Sequence, residues 1–133
     1  MKLSTYFGIT GVVAVLFGLA FILIPELSLK QYGVPTEPHN LMQSRYFGSA
    51  LLAFGLVPLL GRSLREDAAL RAILQASAVG NGIGAIISAM AVTSGLQNQM
   101  AWGSVLIYGV FFAGSLYYLS SPARRAQARL TEA

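Results

Sequence analysis

The chain has 133 residues, 55% hydrophobic and 11% charged, against roughly 25% charged in soluble domains, and its length fits one domain. A single histidine and no cysteine exclude a disulfide framework, a thiolate nucleophile, bis-histidine haem ligation and a three-histidine metal site. The formal net charge of +4 does not form a nucleic-acid patch, because within 3–25, 46–61 and 72–122 only tyrosine is ionisable. A charge at the bilayer centre is costly, so these blocks read as membrane spans.

The first span is predicted over residues 5–25, TYFGITGVVAVLFGLAFILIP. Lys2 before an apolar run resembles a signal peptide, but PELSLK follows where a small-x-small cleavage site belongs, so the span is read as retained. Gly8, Gly11, Val15, Gly18 and Ile22 fall at 3–4 spacing along it. The connection that follows, 26–43, is long for a bundle. Leu27, Leu29 and Tyr32 suit a short interfacial helix there, ended by Gly33 and Pro35.

A second span is predicted over 44–60, with Gly48 and Gly55 two turns apart and Pro58 inside it. RSLRED then turns the chain, with Glu66 and Asp67 where a helix dipole favours acids. The third span, 70–93, carries Ala76, Gly80, Gly84 and Ser88 at every fourth position, a small-xxx-small ladder that lets another backbone approach. Asn81 sits beside that ladder near mid-span, where its amide needs a partner. GNGIGA also fits a dinucleotide fingerprint formally, yet no strand precedes it and no acid lies between Asp67 and Glu132 to hold a ribose. Structural glue between helices is the leading reading of Asn81, and lining of a ligand cavity is the other.

SGLQNQ makes a tight polar turn into the fourth span, 101–120, where Ser104, Tyr108, Ser115 and Tyr118 share a face. Buried Tyr108 would need a hydroxyl partner, and Asn81 could supply it. Trp102, Tyr117 and Tyr118 near the span ends read as interface anchors. The tail PARRAQARLTEA is a basic amphipathic stub.

Four spans put both termini on one side, with Lys2, Arg62, Arg65, Arg71, Arg124, Arg125 and Arg129, and leave Lys30 and Arg45 opposite. The positive-inside rule makes the first side cytoplasmic, in a bacterial inner membrane. Glu26 and Arg45 then meet at the outer interface as an ion pair or a carboxylate–guanidinium site, and His39 lies in the loop sequence EPHN.

LIPELSLKQYGV, SRYFGSALLAFGL with an arginine soon after, GNGIGAI and W-x5-Y before an aromatic-rich last span together resemble a family of small four-helix bacterial membrane proteins of unknown function. That family is distantly similar to the DoxX-like proteins, which occur as accessory subunits of membrane redox systems. The resemblance implies a fold and little about activity; this chain has no redox ligand of its own, so only an accessory role could carry over.

The expectation is an all-α, integral membrane four-helix transmembrane bundle, packed through Gly11, Gly18, Gly48, Gly55, Gly80, Gly84 and Ser88. Its leading function is an accessory or assembly subunit, with membrane lipids and a membrane-protein partner or a second copy as partners. The alternative is a site for a lipophilic small molecule such as a quinone, isoprenoid or polyketide, under the 26–43 loop. Asn81, Tyr108, Trp102, His39 and Asn98 are its candidate binding residues. If chemistry occurs there, it is acid–base isomerisation or cyclisation using Glu26 as acid or base, with Arg45, Asn81 and Tyr108 positioning or polarising the substrate. A small transporter or channel ranks third, since no Asp, Glu or Lys lies well inside a span. No cofactor, metal or nucleic acid is expected.

Overall fold

A computed structural model of the chain describes residues 2–64 and 66–121. The described residues form α1 (Leu3–Leu23), α2 (Pro25–Gln31), α3 (Pro38–Gly61), α4 (Asp67–Thr93) and α5 (Ala101–Ser120), with no strand among them. All but α2 are long and apolar enough to cross a membrane, and they form an all-helical, four-helix bundle. Arg65 and the expected basic stub at 122–133 lie outside the described residues.

The helix boundaries follow local chemistry. Helix α1 closes at Leu23, two residues before Pro25, because a proline lacks an N–H and pushes the residue before it out of the helical region. Ile24 accordingly has φ −128° and ψ 55°, and Pro25 opens α2. Helix α3 starts at Pro38 rather than near residue 44. Proline suits a first helical position, and the polar residues of its first two turns do not oppose a helix outside the hydrocarbon. Helix α2 ends where Gly33 takes φ 71°. The Gly33 N–H donates to Lys30 O, and that of Val34 to Leu29 O, at 3.0 Å each. This paired closure needs a left-handed residue, which glycine supplies without strain.

The bundle is two antiparallel pairs, α1 with α3 and α4 with α5, each closely packed within itself and only sparsely in contact with the other. Glycine explains the first pair. A Cβ placed on Gly11 would lie 2.8 Å from the Gly55 carbonyl oxygen, and one on Gly18 would lie 2.9 Å from that of Gly48. The two backbones therefore touch, as helices associating in lipid do through small residues. The second pair packs differently. Gly82 and Gly84 of α4 receive the rings of Phe112 and Tyr108 from α5, while Gly80 faces the ring of Phe54 from α3. The expected ladder on α4 is thus covered by aromatic side chains rather than by another backbone.

The pairs are joined at both ends. Where α1 and α4 begin and α5 ends, Tyr6, Phe7, Leu70, Leu74 and Tyr118 form a buried cluster. There the Tyr6 hydroxyl hydrogen-bonds to Phe111 O at 2.6 Å and shares a hydrogen bond with the buried Ser115 Oγ at 2.8 Å. At the opposite end, here termed the loop end, Asn98 fastens the α4–α5 turn to the end of α2. Its Nδ2 donates to Gln31 O at 2.8 Å and its backbone N–H to Tyr32 O at 2.9 Å. Its Oδ1 accepts from the Met100 N–H at 3.0 Å, ordering the approach to α5.

Candidate functional site

Between these fastenings the pairs diverge around a cavity of about 380 Å³, within the roughly 300–1,000 Å³ range of small-molecule sites. Each helix of the first pair has two stripes. On α1, Gly11 and Gly18 face α3 while Thr10, Val13, Ala14, Phe17 and Phe21 face the cavity. On α3, Gly48 and Gly55 face α1, while Asn40, Gln43, Ser44, Phe47, Leu51, Phe54 and Pro58 face inward at 3–4 spacing. Ser77, Asn81 and Ile87 of α4 and Ser104, Ile107, Tyr108 and Phe111 of α5 form the other wall. Leu29, Tyr32, Val34 and Gln97 close round the loop end.

Phe47 and Ile87 line the cavity yet are 46% and 60% exposed, so it opens to the outside of the bundle between α3 and α4.

The walls are uncharged: no Asp, Glu, Lys, Arg or His lines the cavity among the described residues. Seven aromatic side chains do. At the loop end Phe21 stacks on Tyr32, with ring centroids 6.2 Å apart, and meets Phe47 edge-on at 5.1 Å. A flat ring or an unsaturated chain suits such walls. A charged ligand would be desolvated there without a counter-charge.

Most polar groups in the walls already have partners. Thr10 Oγ1 donates to Tyr6 O at 3.0 Å, and Ser44 Oγ donates to Phe21 O at 3.3 Å. Tyr32 and Ser104 share a hydrogen bond of 3.0 Å, and Asn40 Nδ2 donates to Pro35 O at 2.9 Å. Asn81 is 3% exposed. Its Nδ2 donates to Ser77 O, one turn back in its own helix, at 2.8 Å. This amide bonds within α4, not across to another helix. Its Oδ1 accepts no hydrogen bond among the described residues, and the Tyr108 hydroxyl makes none there either. The two groups expected to pair with each other both line the cavity, each with hydrogen-bonding capacity left over.

The remaining sequence-predicted site residues lie elsewhere. Glu26 and Arg45, with Lys30, border a separate open cleft where α1, α2 and α3 meet, and both are exposed. Among the described residues the one ion pair is His39 Nδ1 with Glu37 Oε2 at 3.5 Å, both largely exposed. Trp102 is 44% exposed on the bundle surface, and Asn98 serves the turn. None of Glu26, His39, Arg45, Asn98 and Trp102 lines the cavity. Sequence reasoning did not single out Gln43, Ser44 and Gln97 for the cavity wall. The polar-to-apolar stripe from Asn40 to Pro58 is the pattern that marks the first two.

Comparison with protein-family models, with curated proteins and with solved structures returned no match to this chain. The chemistry of the site must therefore be read from its own residues.

Proposed function

We propose that this protein binds an uncharged lipophilic small molecule in the cavity between its two helix pairs, taken up from the bilayer through the gap between α3 and α4. The observation that carries this reading is the buried Asn81 Oδ1 in the wall of an uncharged, largely apolar and aromatic cavity, with no partner among the described residues. Leaving such an acceptor bare costs about 1–3 kcal/mol, and a bound polar head removes that cost. The accessory-subunit reading lacks an equivalent feature, because Gly11, Gly18, Gly48 and Gly55 are covered within the chain itself. Catalysis by Glu26 is not part of the proposal, since that carboxylate borders the other cleft.

The distribution of basic residues supports a bacterial inner-membrane setting with cytoplasmic termini. In that orientation the loop end and its polar rim belong to the periplasmic half.

Native mass spectrometry of the protein extracted gently from its own membrane tests the binding. The wild type should carry a reproducible small-molecule adduct, lost in Leu51→Trp, which fills the cavity, and kept in Glu26→Gln. A bare wild-type protein, or an adduct indifferent to Leu51→Trp, would sink the proposal.

A further inference from the structure

We infer that the cavity selects ligands bearing a hydroxyl, alcohol or phenol, over otherwise identical molecules ending in a carbonyl or an ether. This rests on the cavity being a binding site and specifies what its polar head must be.

The orientation of one amide carries the argument. Amide nitrogen and oxygen are distinguished by the groups they face. A backbone carbonyl only accepts, so the atom of Asn81 lying 2.8 Å from Ser77 O must be the nitrogen. The side-chain oxygen is thereby fixed as an acceptor, in a residue only 3% exposed. No donor in the surrounding walls reaches it. The hydroxyls of Thr10 and Ser44 donate to backbone carbonyls, and those of Tyr32 and Ser104 hold each other. Two wall hydroxyls have both roles still open, that of Ser77, one turn back on α4, and that of Tyr108. The ring of Tyr108 lies against α4 at Gly84, where a Cβ would come within 3.0 Å of two ring carbons. Gly84 is three residues beyond Asn81, so the tyrosine and the amide sit about one helical turn apart on the same wall.

A ligand hydroxyl matches this pair. It has one hydrogen to give and lone pairs to receive, so it donates to Asn81 Oδ1 and accepts from the Tyr108 hydroxyl. A carbonyl or ether oxygen can only accept. Either would satisfy Tyr108 and leave Asn81 Oδ1 unpaired inside a low-dielectric wall. The reduced, hydroxylated form of an aromatic diol–dione couple would be held in preference to the oxidised form on the same grounds.

The test uses three probes with one C15 isoprenoid chain: farnesol, its aldehyde and its methyl ether. Each is supplied at equal mole fraction to the full-length protein in lipid nanodiscs, and bound probe is read by native mass spectrometry. The expected result is that the alcohol occupies the wild type about tenfold more tightly than either analogue, the factor that a bare buried acceptor supplies. In Asn81→Leu that preference should disappear. Equal occupancy by all three probes, or a preference for the aldehyde, would overturn the hydroxyl inference while leaving the binding cavity intact. No adduct with any probe would overturn both. The wild-type ranking decides the matter alone if Asn81→Leu fails to fold.

Discussion

Asn98 donates its side-chain N–H to the carbonyl of Gln31 at 2.8 Å, across the gap between the two helix pairs. Gln31 is the last residue of α2, and Asn98 lies in the turn before α5. This bond and the neighbouring Asn98 N–H to Tyr32 O bond fasten one pair to the other at the loop end.

Asn98→Ala should therefore lower stability by about 1 kcal/mol, at the low end of what two side-chain hydrogen bonds contribute because both are exposed. Asn98→Asp should recover part of the loss, because its oxygen still accepts from the Met100 N–H while the donor to Gln31 O is gone. Reversible unfolding in mixed micelles reads both. An Asn98→Ala protein as stable as wild type would mean that the fastening contributes nothing.

The glycines separate into two groups by what a methyl group would meet. Gly18→Ala and Gly48→Ala drive a Cβ to within 2.9 Å of the facing backbone, and should destabilise or dissociate the α1–α3 pair by about 1–3 kcal/mol, as overpacking does. Gly8 and Gly109 have nothing within 4 Å, so alanine there should be neutral or stabilising by up to about 1 kcal/mol through helix propensity. Comparing all four variants in one unfolding assay checks the seam, and equal effects at all four positions would refute it.

Tyr6 and Tyr108 make a second contrast. Tyr6→Phe removes the hydroxyl that bonds Phe111 O and the fully buried Ser115, and should cost about 0.6–2 kcal/mol, the range for polar contacts between membrane helices. Tyr108→Phe removes a hydroxyl with no partner among the described residues. It should leave the unfolding transition in place while weakening retention of a hydroxylated ligand. A stability loss at Tyr108 matching that at Tyr6 would contradict its free hydroxyl.

Topology can be read directly because the chain has no cysteine. A cysteine at Leu96, which is 73% exposed in the α4–α5 turn, should react with a membrane-impermeant thiol reagent in intact cells. Labelling only after lysis would reverse the proposed orientation.

The helices were legible because charge is excluded in blocks, and the α2 stop because Gly33 and Pro35 punctuate it. The spacing of Gly11 and Gly18 against Gly48 and Gly55 was also visible, since small residues two turns apart leave one side of a helix flat. The cavity was not. It arises where Thr10–Phe21 and Ser104–Phe111 stand apart between two points of fastening, and no periodicity within one helix encodes the distance to another. The partner of Asn81 escaped for a related reason: the carbonyl of its own helix one turn back competes locally for any asparagine amide. Glu26 and Arg45 drew attention as charges in an apolar chain, yet charge is what the water-facing rim of a membrane protein accommodates most cheaply.

The Tyr6 contacts join α1 to α5 at one end, and Asn98 joins the α4–α5 turn to α2 at the other, so neither fastening includes α3. The α3–α4 edge of the cavity is held instead by packing, with the Phe54 ring over Gly80. On the proposed function, that edge is the one that should give way as a ligand enters, while the edge between α1 and α5 keeps its width.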